Sequence, residues 1–287
     1  MFNKRHIVRT IAATVSILAL SFTAACGSGQ STASNSTDSD DITQQTYKPG
    51  KLTIATGQPA YEPWVMNDKP ESGEGYEAAV AYAVADKLGF KKSDVVWTRT
   101  AFDTAIAPGA KDWDFNIQQF GITDERKKAV DFSSSYYNDS QSVVVKKDSK
   151  FANATKVSDL KDVTVGVMVG TLAYDYAKAN IKDDIQTFND DAALAQALDA
   201  GQIDVLVTST VECVYMVQSE QVKDSKVLGR LPDSEDKSGM GIVLPKDSKL
   251  TAAVTKAVDD LNADGTIKKL QDKWLAEYTT DLTELKK

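Results

Sequence analysis

Asp114-Phe-Asn-Ile-Gln-Gln-Phe-Gly-Ile-Thr-Asp-Glu-Arg126 reads as a buried strand running straight into a first helical turn that carries an arginine. Phe115 and Ile117 alternate toward a core, Gln118, Gln119 and Gly121 end the strand, and Thr123 is a good N-cap ahead of Asp124 and Glu125. The spacing predicts a helix from Asp124 with Arg126 at its third position. In an open α/β sheet, ligands bind beyond the carboxyl ends of strands, where helix N-termini present unpaired N–H groups. A guanidinium there adds an always-charged, bidentate fork for a carboxylate. The competing reading has Arg126 paired with Asp124, Glu125 or a neighbour on a solvated face, and this segment alone leaves both open.

The N-terminus addresses the chain outside the cytoplasm. Lys4, Arg5 and Arg9 precede an apolar run from Ile11 to Phe22, followed by the small-residue stop Thr23-Ala24-Ala25-Cys26. That is the layout of a signal peptide over residues 1–25, too short for a membrane helix of about 20 residues. The Ala-Ala-Cys ending resembles the lipobox of bacterial lipoproteins, with Thr23 where leucine is usual; it implies a lipid-modified Cys26 as mature N-terminus and membrane anchor. A plain secreted protein is the alternative. Residues 27–46 are Ser, Thr, Asp, Gln and Gly with almost no large apolar side chain, so 26–46 is expected to be the lipidated cysteine and a disordered tether.

Composition excludes several classes of function. The only histidine, His6, lies in the signal peptide, so the mature chain has no imidazole for acid–base work, a Ser-His dyad or metal ligation; no catalytic residue, metal or cofactor is expected. The net charge of −8 becomes more negative once Lys4, Arg5 and Arg9 are removed, which disfavours nucleic acid. With Cys26 lipidated, Cys213 has no disulfide partner and reads as a small core residue. The remaining length, about 240 residues, suits one large domain or two ordinary lobes.

Beyond the tether, short β-rich runs alternate with helical patterns, the signature of layered α/β structure. Strands are expected at 52–56, 95–98 and 115–118, with helices over 76–88, from 102 and from 124. Tyr76, Val80, Val84 and Leu88 share one helix face, closed by Gly89. A second series starts at 163–168, with helices from 172, over 191–200 and from 211, and strands at 185–188 and 205–207. Phe102–Asp114 and Ala192–Asp204 both run helix, small-residue break, aspartate, buried strand, which suggests a duplicated half. Gln141–Lys147 and Gly241–Leu244 read as paired crossovers between lobes, a natural hinge. Helices from 250 and 267 then finish the first lobe.

At this point the chain resembles the bacterial extracellular solute-binding proteins of family 3, amino-acid-binding components of ABC importers. The pieces are KLTIATG, YEPW at Tyr61–Trp64, GYEAAVAYAVADKLGF, WDFNIQQFGITDERKKAVDFSSSYY, VTVGVMVGT, DAGQIDVLVTST and ADGTIKKLQDKW. The resemblance implies a two-lobed type II periplasmic-binding-protein fold, two α/β lobes on a two-strand hinge. It places 47–137 with 238–287 in lobe 1 and 138–237 in lobe 2. It further implies a monomer that passes a small amino-acid-like solute to a membrane permease and its ATPase. Tyr61 and Phe102 would form apolar or stacking walls, and Gln118, Gln119 and Gly121 would present backbone groups. Arg126 would grip the solute's α-carboxylate, and Thr171 would complete that grip or serve only as a helix cap. Ser209 stands where the family usually has an aspartate for the α-ammonium; either Glu212, one turn on, substitutes, or the solute lacks a conventional free α-ammonium. Gln118 and Gln119 replace common small hydroxyl residues, YEAA lacks the usual alternating acids, and Glu62 replaces a common proline.

Other candidates read more plainly. Asp114 and Asp204 each open a buried strand, which favours a turn or capping role over acid–base chemistry. Trp97 and Trp113 suit core or rim packing, while Trp64 and Phe120 could equally wall a pocket. Lys127-Lys128 and Lys286-Lys287 suit solvated surface. A dehydratase-like enzyme on the same scaffold, with Glu212 as its positioned carboxylate, and a ligand-sensing module are the alternatives to an importer component.

Overall fold

The computed structural model describes residues 41–279 and 282–287; the expected signal peptide and Cys26 lie outside them. The first series of elements is β1 (Leu52–Thr56), α1 (Tyr76–Lys87), β2 (Val95–Arg99), α2 (Phe102–Ile106), β3 (Phe115–Asn116) and β4 (Val130–Tyr137). The second is β5 (Gln141–Lys146), β6 (Val165–Met168), α3 (Leu172–Asn180), β7 (Ile185–Phe188), α4 (Asp191–Asp199), β8 (Val205–Ser209), α5 (Thr210–Gln218) and β9 (Ser225–Arg230). Then β10 (Met240–Pro245), α6 (Thr251–Ala263) and α7 (Thr266–Trp274) close the chain's main fold.

The strands form two five-stranded sheets of the same plan, β2-β1-β3-β10-β4 and β7-β6-β8-β5-β9. In each, three parallel strands are joined by a fourth running antiparallel, β10 in the first and β5 in the second. Each of those fourth strands follows a crossing from the other lobe. The crossings themselves are residues 138–140 and 231–239, so the strands predicted as crossovers begin where the crossings end.

Both faces of each sheet are covered, which explains the near-continuous apolar runs. In the first sheet Leu52, Ile54, Phe115, Ile242 and Leu244 pack with Tyr76, Val80, Val84 and Leu88 of the helical layer, while Ala55, Val243 and Val130 face Phe120 and Trp113 on the other side. In the second, Val143, Val145, Val165, Val205 and Val207 form one core, and Val144 and Leu206 meet Leu194, Leu198, Cys213 and Met216 in the other. The period-2 alternation is thus read out twice, and Cys213 is a core residue as expected.

The duplication is visible in hydrogen bonds. Asp114 N–H donates to Thr53 O (2.8 Å), and its carboxylate accepts Thr53 N–H (2.7 Å). Asp204 N–H likewise donates to Thr164 O (2.8 Å), and its carboxylate accepts Thr164 N–H (2.7 Å). Both aspartates staple the start of one strand to its neighbour.

Three expectations need correction. The predicted helix from Asp124 is only a 3₁₀ turn, Arg126–Lys128, because β4 begins at Val130 and leaves no room for an α-helix. Residues 41–46 are ordered: Ile42–Gln44 form a 3₁₀ turn, Ile42 packs against the first core, and Gly50 N–H donates to Thr43 O (2.8 Å). The one large apolar side chain in that stretch is what docks it. Finally, 282–287 run beside the second sheet and not the first. Leu285 N–H donates to Arg230 O (2.8 Å), Val157 N–H donates to Lys286 O (2.8 Å), and the Leu285 side chain enters the second core. The tail pairs with the edge of β9 and buries Leu285.

Candidate functional site

A cavity of about 230 Å³ opens where the C-terminal strand ends of the two sheets face each other. Its size suits a small solute. The residues that the resemblance assigned to the solute all line it: Tyr61, Phe102, Gln118, Gln119, Gly121, Arg126, Thr171 and Ser209. The lobes also touch around it. Arg126 Nη2 donates to Gly170 O (2.8 Å), Trp64 Nε1 to Glu212 Oε2 (3.3 Å), Ala192 N–H to Tyr61 Oη (3.3 Å), and Tyr215 Oη to Glu62 Oε2 (3.4 Å).

Arg126 is released from its neighbours. Asp124 pairs with Lys127, and Glu125 with Lys128, so the solvated-face reading fails. Thr123 Oγ1 accepts Arg126 N–H (3.1 Å), turning the side chain inward, where Nη1 donates to Gly121 O (2.6 Å). The guanidinium lies 5.6 Å from the centroid of the Phe102 ring, which itself stacks against Phe120 at 4.6 Å. Burial lowers its pKa, and Asp175 and Asp236 oppose that through space. Both of its hydrogen bonds go to carbonyls, and a guanidinium has more N–H donors than these two bonds use. A Cβ at Gly121 would lie 2.5 Å from Leu172 Cδ1 and 2.7 Å from Asp236 Oδ2, so both of those side-chain ends would have to move aside.

The strand end is held from behind. Gln119 adopts φ +50°, an uncommon conformation for a non-glycine residue. Its N–H donates to Glu77 Oε1 (2.7 Å) and its side-chain amide to Glu77 Oε2, while Tyr136 Oη also donates to Glu77. Gln119 therefore contributes wall, with its N–H and amide already committed. Glu77 is fully buried; burial pushes it up to about 7, against the pull of those donors. Gln118 differs, because its Oε1 is buried with no partner among the described residues.

On the opposite lobe Thr171 caps α3. Its hydroxyl accepts Tyr174 N–H (3.2 Å) and donates to Met168 O (2.8 Å), so the capping role uses both functions of the hydroxyl. Ser209 caps α5, accepting Glu212 N–H (3.3 Å), and also hydrogen-bonds the Asp139 carboxylate. Asp139, in the first crossing, accepts Ser140 N–H (2.7 Å) and Val211 N–H (3.3 Å); burial raises it to about 6.

Sequence reading missed Asp139, Asp190, Asp191 and Asp236 as cavity residues. The acidic pair Asp190-Asp191 at a helix start on the second lobe was the available signal. Asp190 caps α4, accepting Ala193 N–H (2.8 Å), and Asp191 is raised to about 6 by burial and then by Asp190. Trp64 serves as both core and pocket wall, whereas Phe120, Trp97 and Trp113 only pack, Phe120 standing behind Phe102.

Two α/β lobes closing on a charged cavity define a binding protein of the clamshell type. The model for bacterial extracellular solute-binding proteins, family 3, matches residues 52–277, and the chain belongs to that family. It is 29% identical over 223 residues to the L-cystine-binding protein TcyJ of Escherichia coli strain K12, covering 77% of this chain and 81% of that protein. It is 28% identical over 245 residues to the L-arginine-binding protein of Pseudomonas aeruginosa, covering 80% and 88%. A solved structure of an ancestral arginine-binding protein bound to arginine superposes with a TM-score of 0.67 at 31% identity, covering 78% of this chain and 98% of that one.

Proposed function

We propose that the chain is the extracytoplasmic solute-binding component of an ABC importer, anchored through Cys26, and that it closes over a small amino-acid-like solute for delivery to a permease. The observation that supports this best is Arg126: a desolvated guanidinium lining the cavity, fixed by carbonyls of both lobes and paired with no neighbouring acid. A carboxylate there gains a charge-assisted, bidentate partner. Phe102 and Tyr61 wall the same space, and Ser209 and the α3 N-terminus close it from the second lobe. Relatives named for cystine and arginine binding agree with an amino-acid solute. A solute shifts the hinge only by binding the closed form better than the open one, and Arg126, which bonds both lobes, supplies such a difference.

A thermal-shift screen of amino acids against their carboxamides tests the reading, because a ligand of the native state raises Tm with its concentration. Free carboxylates should raise Tm and carboxamides should not. Equal shifts from both would overturn the assignment of Arg126. Chemical conversion of a stabilising compound would favour the dehydratase-like alternative.

A further inference from the structure

Resting on that reading, a second recognition element lines the same cavity as Arg126 without being its electrostatic neighbour. Glu212, in the first turn of α5, is 4% exposed, and its Oε2 accepts the Trp64 indole N–H while its Oε1 has no partner among the described residues. Asp191, opening α4, takes the Thr208 hydroxyl on one oxygen and leaves Oδ1 without a partner. Both line the cavity, with Asp139 near them. The charged groups facing Glu212 are Asp191, Asp139 and Glu77, from three different segments, and Tyr61 and Tyr215 also feel its charge. All of these are acids. Arg126 takes no part: its electrostatic neighbours are Asp175 and Asp236.

Buried carboxylates left without donors cost free energy, and acids brought together raise that cost. Such an arrangement makes physical sense when a cation completes it. Asp139, bonded to Ser209, already supplies a negative charge beside the position expected to face an α-ammonium, so Glu212 and Asp191 remain for something else.

We propose that Glu212 and Asp191 form a subsite for a second cationic group, so that the solute is a basic amino acid held by its carboxylate on Arg126 and by its side-chain ammonium or guanidinium on this pair. Burial and the nearby Asp191 charge hold Glu212 well above its usual range, and burial with Asp190 raises Asp191 to about 6, so the empty pair retains a proton near neutrality. The solute's cation takes that proton's place and the proton leaves to solvent. Affinity therefore rises with pH.

The test is calorimetry on the mature protein with L-lysine and L-arginine against the neutral isosteres L-norleucine and L-citrulline, in buffers of different ionisation enthalpy. The cationic pair should bind tighter by on the order of 100-fold, the scale expected for a desolvated charge pair. It should release a fraction of a proton and tighten from about pH 6 to about pH 8. Glu212→Gln should remove most of that preference and the proton release. At about pH 8 it should also raise the Tm of the empty protein, which shows that the variant folds; Asp191→Asn should act the same way. Isosteres that bind as well as the cations, with Arg126-dependent affinity, would overturn the subsite and leave the carboxylate reading standing. Absence of binding by any amino acid would overturn both.

Discussion

At the scale of single residues, Arg126 and Glu77 are ionisable groups set in places where charge is disfavoured, and they serve different ends. Arg126 holds its charge against burial because two carbonyls and two through-space acids support it. Arg126→Ala should weaken solute binding by about 2–5 kcal/mol in calorimetry. Arg126→Lys should recover little, since an ammonium lacks the planar fork. Glu77 acts from behind the wall, fixing Gln119 in its left-handed conformation. Burial raises Glu77 from 4.5 to about 7, so between those values the folded state binds the proton and the unfolded state does not. Its contribution is fully present below about pH 4.5 and is lost as pH rises through about 7, by an amount on the order of 3 kcal/mol. Thermal melts over that range should show Tm falling with pH, and Glu77→Gln should flatten the slope.

At the scale of elements, the staples and the alternation explain why each half folds as it does. Asp114 accepts N–H groups from both Tyr47 and Thr53, and is buried, whereas Asp204 accepts one and is partly exposed. Removing Asp114 orphans two donors, so Asp114→Ala should cost about 1–3 kcal/mol in denaturant titrations and Asp204→Ala less. Most helices and the inner strands were legible, because periodicity reports which faces are buried. Two strands escaped notice. β4 carries three consecutive serines, and its pairing with β10 is broken by register shifts, with Ser133 Oγ accepting Ile242 N–H (2.9 Å). β9 pairs in the sheet only with β5 and shows lysine, glycine and arginine, so it lacks an apolar signature. The helix expected after Thr123 had a sound cap signal, yet the strand that follows at once limits it to one turn.

At the scale of the whole molecule, function depends on two lobes meeting. Gly121 is a point of close approach, with the side-chain ends of Leu172 and Asp236 from the facing segments already against it. Gly121→Val should therefore hold the lobes apart: solute affinity should drop at least about tenfold, while each core stays intact. Small-angle scattering with saturating solute would check this, by showing a smaller compaction than in the wild type. The tail 282–287 adds pairing to the second lobe, which ties the chain's end to the half that begins in its middle.

The sequence by itself determined the alternating α/β elements, the repeated aspartate-plus-strand unit, and the presence of an arginine, a threonine and a serine close to the ends of strands. Those follow from local patterns, since burial period and capping chemistry are written within a few neighbouring residues. Only the tertiary structure decided that Arg126 turns away from Asp124 and Glu125, that Ser209 is spent on a cap and on Asp139, and that Glu212 and Asp191 meet in one cavity. These depend on contacts between segments far apart in the chain, and the burial that shifts their charges exists only once both lobes have closed around the same space.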